Sequence, residues 1–226
     1  MATLPLTPPR MAGLLYLVII ICGLWAEGYV RGTLILPADA EATARNILQS
    51  EVLFRLGLLA DTVMALADVA VGVLLFGLLA PLGHGLALAA LAMRLVQAAI
   101  IGSALPGLHS ALGWAEANPA HALAAIRTHG FSYDMGLVFF GVCCLSTGTL
   151  LMRAQARILG GAIILAGLVY LTGSGLRIAA PEAVAAFQPA YLICILAEFA
   201  FALWLLLGRT PMALAAQAGA RCPCTA

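Results

Sequence analysis

Phe54 to Leu79 reads FRLGLLADTVMALADVAVGVLLFGLL, an apolar run long enough to cross a bilayer that nevertheless carries Arg55, Asp61 and Asp68. An Asp near mid-membrane costs roughly 2.5 to 3.5 kcal/mol, whereas each Leu, Val or Phe contributes roughly 0.3 to 0.6 kcal/mol in favour of insertion. Alone, the run is close to neutral. At about 3.6 residues per turn, Asp61 and Asp68 share one helical stripe with Phe54 and nearly with Ala65, so that stripe must face protein or enclosed water rather than lipid. The stretch therefore predicts a membrane bundle with charges in its middle, completed by the other helices.

The composition agrees. The chain is 63% hydrophobic and 9% charged, where a soluble domain is about a quarter charged. Its 11 basic residues are all arginines, set against 10 acids. That leaves no basic patch for nucleic acid and no lysine for Schiff-base chemistry. Arginine stays protonated and offers a planar fork of donors, suited to a buried carboxylate or a ligand phosphate. Cys22, Cys143, Cys144 and Cys194 lie in apolar runs and read as small hydrophobes. Cys222 and Cys224 form a C-P-C in a polar tail, with no His or further Cys close enough in sequence to complete a metal site.

The expected fold is all-α, a polytopic bundle of six transmembrane helices with two short surface helices. Residues 1–10 read as a cytoplasmic N-terminal segment, 11–208 as the membrane domain and 209–226 as a flexible cytoplasmic tail. Met11 to Val30 is too long for the apolar region of a signal peptide, and Trp25, Glu27 and Tyr29 stand where small cleavage-site residues would be, so it reads as a retained first span. Asp39 is placed as an N-cap for a surface helix within Pro37 to Ser50. Phe54 to Leu79 is the second span, and PLGHG from Pro81 turns tightly into the third, about Leu86 to Leu112. Pro106 is expected to kink that span and redirect His109. Trp114 to Thr128, with Asn118-Pro119, reads as a second surface helix before the fourth span, Phe131 to Leu151. Ile158 to Leu176 and Ala190 to Leu207 complete the set. Arg10, Arg153, Arg157, Arg209 and Arg221 fall on one side and Arg31, Arg45, Arg127 and Arg177 on the other, which places both termini inside by the positive-inside rule.

The ionisable residues of the spans gather toward the outer face. A rise of about 1.5 Å per residue puts Glu27, Asp61 and Glu198 in the outer half and Asp68 and Arg94 near mid-membrane, with Gln97 one turn on. Toward the outer face lie His109, His129, Tyr133, Asp134 and Arg177. Glu27, Asp61, Asp68, Asp134 and Glu198 meet Arg31, Arg55, Arg94 and Arg177, which leaves about one acid over. Glu27 and Arg31 pair one turn apart, and Arg94 is expected to hold Asp68. Burial favours the neutral form of a carboxyl group, so Glu198 and Asp61 are candidate acid and base, with His129 as a further catalytic candidate and His129 with Tyr133 at the mouth. The histidines show no HxxxH or ExxH spacing, and no metal or cofactor is expected. GLLY, GLVFFG and GGAIILAG read as small-residue packing between membrane helices. GLLYL at Gly13 and GLVYL at Gly167 match each other, but such strings are common in apolar helices and are set aside as a repeat.

FRLGLLAD followed by Asp68, MRLVQAAIIG around Arg94, HGFSYDMGLVFFG from His129 and ARILGG around Arg157 resemble, in the same order, a bacterial integral-membrane family catalogued as domain of unknown function 4386. The resemblance runs from about Arg10 to Arg209. It implies a single six-helix membrane domain of bacterial origin and carries no activity or site residue with it; the expected location is the bacterial inner membrane.

Three functions are compatible with these residues. In the first, an outward-facing polar pocket binds a small amphiphilic or lipid-like molecule and acts on it by acid-base chemistry, as an isomerase or cyclase would. In the second, the same acids load and release protons in a small-molecule carrier, for which a homodimer would supply the missing repeat. In the third, the protein is a non-catalytic membrane subunit whose ion pairs fix helix register.

Overall fold

The computed structural model describes residues 7–208; the whole expected tail, with Arg209, Arg221 and the C-P-C cysteines, lies outside the described residues. Among the described residues, six helical segments are long and apolar enough to span a membrane. They are α1 (Pro8–Leu34), α3 (Glu51–Leu79), α4 (His84–Trp114), α5 (Pro119–Arg153), α6 (Arg157–Ala179) and the segment Pro181–Leu206, which ends in α7 (Tyr191–Leu206), with the short α2 (Ala40–Gln49) between the first two. The protein is thus a multi-pass helical membrane protein. Lipid-facing side chains such as Ile158 and Leu66 stay exposed at 93% and 68%, as an apolar solvent permits.

Short turns make sequential spans antiparallel. One end of the bundle carries the starts of α1, α4 and α6, with the turns at Gly83 and Gln155, and Arg153 donates across it to the Leu82 carbonyl. The cavity described below opens toward the opposite end, where α2 lies. The Asp39 side chain accepts from Ala42 N at 2.8 Å, the expected N-cap. α2 buries Ala44 and Ile47 in a satellite core with Val30, Phe54, Leu108 and Ile126, and Arg127 donates to the Pro37 carbonyl at 2.5 Å.

One expectation gives way. The second surface helix is not separate: Asn118 caps at His121 N, Pro119 takes the first helical position, and α5 continues through residue 128 into the span without a break. Asn-Pro thus marks a helix start rather than an isolated surface turn. α4 carries Pro106 within one helix, and His109 is exposed beyond it.

The small-residue strings do pack helices. A Cβ added at Gly148 would stand 2.6 Å from Gly160 O, and one at Gly160 would stand 2.7 Å from Gly148 O; Gly141 and Gly167 are reciprocal in the same way. Each helix therefore meets the other at two glycines, spaced by seven residues on each, so that the backbones of α5 and α6 touch. Gly13 does the same for α1 against Ala202 and Leu206 of α7. Toward the α2 end, α1 and α7 instead line a common space.

Candidate functional site

The expected Phe54, Asp61 and Asp68 stripe of α3 is buried, and both acids find cations on neighbouring helices. Arg31 of α1 bonds Asp61 through both terminal nitrogens, at 2.6 and 3.1 Å, while its Nε bonds Glu27 at 2.6 Å. The segment from Leu24 to Arg31 is π-helical, a wider turn that often marks a functional site. Asp68 lies 2.6 Å from Arg94 of α4 and accepts from Gln97 Nε2 at 3.2 Å. The Arg94 guanidinium also lies 4.8 Å from the Tyr16 ring centre and 5.1 Å from that of Phe140, so aromatic faces cover the charge that the carboxylate does not. Arg177 pairs with Asp134.

Glu198 is the acid left over. It is buried on α7, and among the described residues it has no ion pair. Its two oxygens accept instead from tyrosine hydroxyls, Tyr16 of α1 at 3.2 Å and Tyr170 of α6 at 2.5 Å. These are the tyrosines of GLLYL and GLVYL. The two pentapeptides lie on the parallel helices that flank α7 and deliver the same donor to the same carboxyl group.

A cavity of about 470 Å³ opens beside this group, within the usual range for small-molecule sites. Glu27, Asp68, Gln97, Tyr133, Asp134, Arg177 and Glu198 all line it, together with apolar Ile19, Ile20, Leu24 and Ile195. Toward the opposite end of the bundle lies a void of about 10 Å³, lined by Arg94 and Thr147 and otherwise by small or apolar groups such as Leu75, Phe76, Leu79, Ala87 and Ala90.

Not every expected residue reaches the cavity. Asp61, Arg31 and Arg94 stand behind its wall, so the expected pairing of Glu198 with Asp61 across a common space is not formed; Asp61 is instead enclosed by Arg31. Arg55 is exposed and pairs with Glu51 at 2.7 Å, because one residue beyond Phe54 turns it about 100° off the buried stripe. His109 is exposed. His129 is buried near the Tyr133 ring, at 6.3 Å between centres, with Nε2 unpartnered among the described residues, and it too lies off the cavity wall. Among the described residues, no group of three or more His, Cys, Asp or Glu side chains could hold a metal.

Sequence reasoning assigned no role to Tyr16, Tyr170, Tyr191 or Phe140. For the first two, the paired GLxYL strings were the available signal. Gly28 and Gly130 also line the cavity, and a Cβ at either would meet nothing within 4 Å.

A model of the family described as domain of unknown function (DUF4386) matches residues 11–208. No curated protein and no solved structure matches the chain. The chain therefore belongs to the DUF4386 family.

Proposed function

We propose that this protein, seated in a bacterial inner membrane with both termini in the cytoplasm, binds a small amphiphilic or lipid-like molecule in the cavity between α1, α5, α6 and α7. Glu198 is the group that exchanges a proton with it. The observation that carries this reading is the contrast among the acids. Glu27, Asp61, Asp68 and Asp134 each have an arginine, whereas Glu198 has two tyrosines and a cavity. Buried ion pairs can serve register alone, but a costly unpaired carboxyl group beside open space is better suited to chemistry. The wall combines a polar end with an apolar stretch along Ile19, Ile20, Leu24 and Ile195, matching a molecule with a polar head and an apolar body.

Acid-base work at Glu198 has a simple balance. The carboxyl group gives its proton to the bound molecule, and the carboxylate takes one back from the rearranged product or from water in the cavity. Tyr16 and Tyr170 hold the carboxyl plane throughout, and Asp68 with Gln97 forms the polar floor, backed by Arg94. A carrier needs a polar route onward, whereas the small void beyond Arg94 is walled mainly by apolar groups, which favours a closed-ended site.

The test is thermal unfolding in neutral detergent, with and without native lipid extract. Glu198→Gln keeps acceptor and donor capacity and is expected to leave the unligated midpoint within a few degrees while abolishing the ligand-induced rise. Gly130→Leu fills open space at the wall and is expected to do the same. A lipid-induced rise that survives in both variants contradicts the assignment.

A further inference from the structure

We infer that the head group taken by this cavity is a cation, an alkylammonium rather than a phosphate, sulfate or sugar; this rests on the reading of the cavity as an amphiphile site. Four carboxyl groups line the cavity, on Glu27, Asp68, Asp134 and Glu198, against the single guanidinium of Arg177, which is already engaged by Asp134. Arg31 and Arg94 neutralise Glu27 and Asp68 from behind the wall, so at these two positions the cavity meets the carboxyl groups and not their arginines. An anionic head meets one guanidinium there, held by Asp134 through its Nε, among four carboxyl groups, and low-dielectric walls strengthen the mismatch.

The aromatic rings point the same way. Tyr133, Phe140, Tyr170 and Tyr191 all line the cavity. Phe140 lies 5.3 Å from Tyr170 and Tyr170 lies 5.9 Å from Tyr191, between ring centres, so three of the rings form a continuous wall that leads to Glu198. Ring faces carry negative quadrupole potential, and rings with a carboxylate are the chemistry that recognises ammonium groups. The protein already uses it internally, where Arg94 sits over Tyr16 and Phe140. An ammonium beside Glu198 pairs with the carboxylate left once that acid has given up its proton, while the alkyl chain follows Ile20 and Leu24 of α1 and Ile195 of α7.

The experiment compares three amphiphiles with one tail, octyltrimethylammonium, octyl sulfate and octyl glucoside, binding to the full-length protein in phosphatidylcholine nanodiscs by titration calorimetry. The ammonium is expected to bind at least tenfold more tightly than either of the others. Glu198→Gln is expected to weaken it at least tenfold. So is Gln188→Lys, which adds a cation at an exposed cavity residue in the turn before α7 and places no charge in the packed interior. Tighter or equal binding of the sulfate or glucoside overturns the cationic assignment and leaves the amphiphile reading standing. Binding of none of the three removes both. Ammonium binding undiminished in Gly130→Leu shows partition into the bilayer and likewise overturns the site.

Discussion

Three arginines and one pair of tyrosines divide the buried acids between them, and the division predicts unequal costs for similar substitutions. Asp68→Asn leaves the Arg94 guanidinium buried with aromatic faces and no carboxylate, so it is expected to cost about 3 to 5 kcal/mol in denaturant unfolding. Asp61→Asn is expected to cost less, because Arg31 keeps Glu27. Glu198→Gln strands no cation, keeps an acceptor for one tyrosine and offers an amide donor to the hydroxyl oxygen of the other, so its expected cost is about 1 kcal/mol. The order of the three, read from unfolding midpoints, checks the pairing. Helical spacing made the Asp61 and Asp68 stripe legible, and the count of acids against arginines foretold that one acid would be left. Which acid it would be depended on helix neighbours. Arg55 was counted among the buried cations, but its pairing with Glu51 takes it out, and Arg31 compensates by serving two acids.

At the scale of the helices, glycine decides where backbones touch and where space remains. Gly148→Leu or Gly160→Leu would drive a side chain into the facing backbone, and each is expected to cost at least about 1 to 3 kcal/mol or to prevent α5 and α6 from pairing. Gly28→Leu meets nothing within 4 Å and is expected to leave stability unchanged or higher while reducing ligand binding; unfolding and binding assays on the same samples separate the two effects. Asp39→Ala removes the α2 cap and is expected to cost about 1 kcal/mol, visible as faster proteolysis of the segment joining α1 to α3. The spans, the α2 cap and the small-residue seams could all be read from apolar length, turn residues and glycine spacing. The π-helical turn from Leu24 to Arg31 could not, because nothing in LWAEGYVR distinguishes it from an ordinary helix. The continuity of α5 was likewise missed, since Asn-Pro opens a helix as readily as it ends one.

For the whole molecule, the arrangement is tight in one half and open in the other. The α1 and α7 backbones meet at Gly13, whereas farther along the same helices both turn side chains into the cavity. Membership of the DUF4386 family and the six spans followed from ordered sequence blocks and hydropathy. The cavity did not, because it depends on how helices distant in sequence diverge. The central claim is that Glu198 alone among the buried acids is unpaired and reachable from that cavity. Its most direct test is labelling of the protein in membranes with dicyclohexylcarbodiimide, which enters apolar regions and reacts with protonated carboxyl groups, followed by peptide mass mapping. The account predicts modification at Glu198, little at Asp61 or Asp68, and protection by octyltrimethylammonium. Equal labelling of Asp61 and Asp68, or an unmodified Glu198, would contradict it.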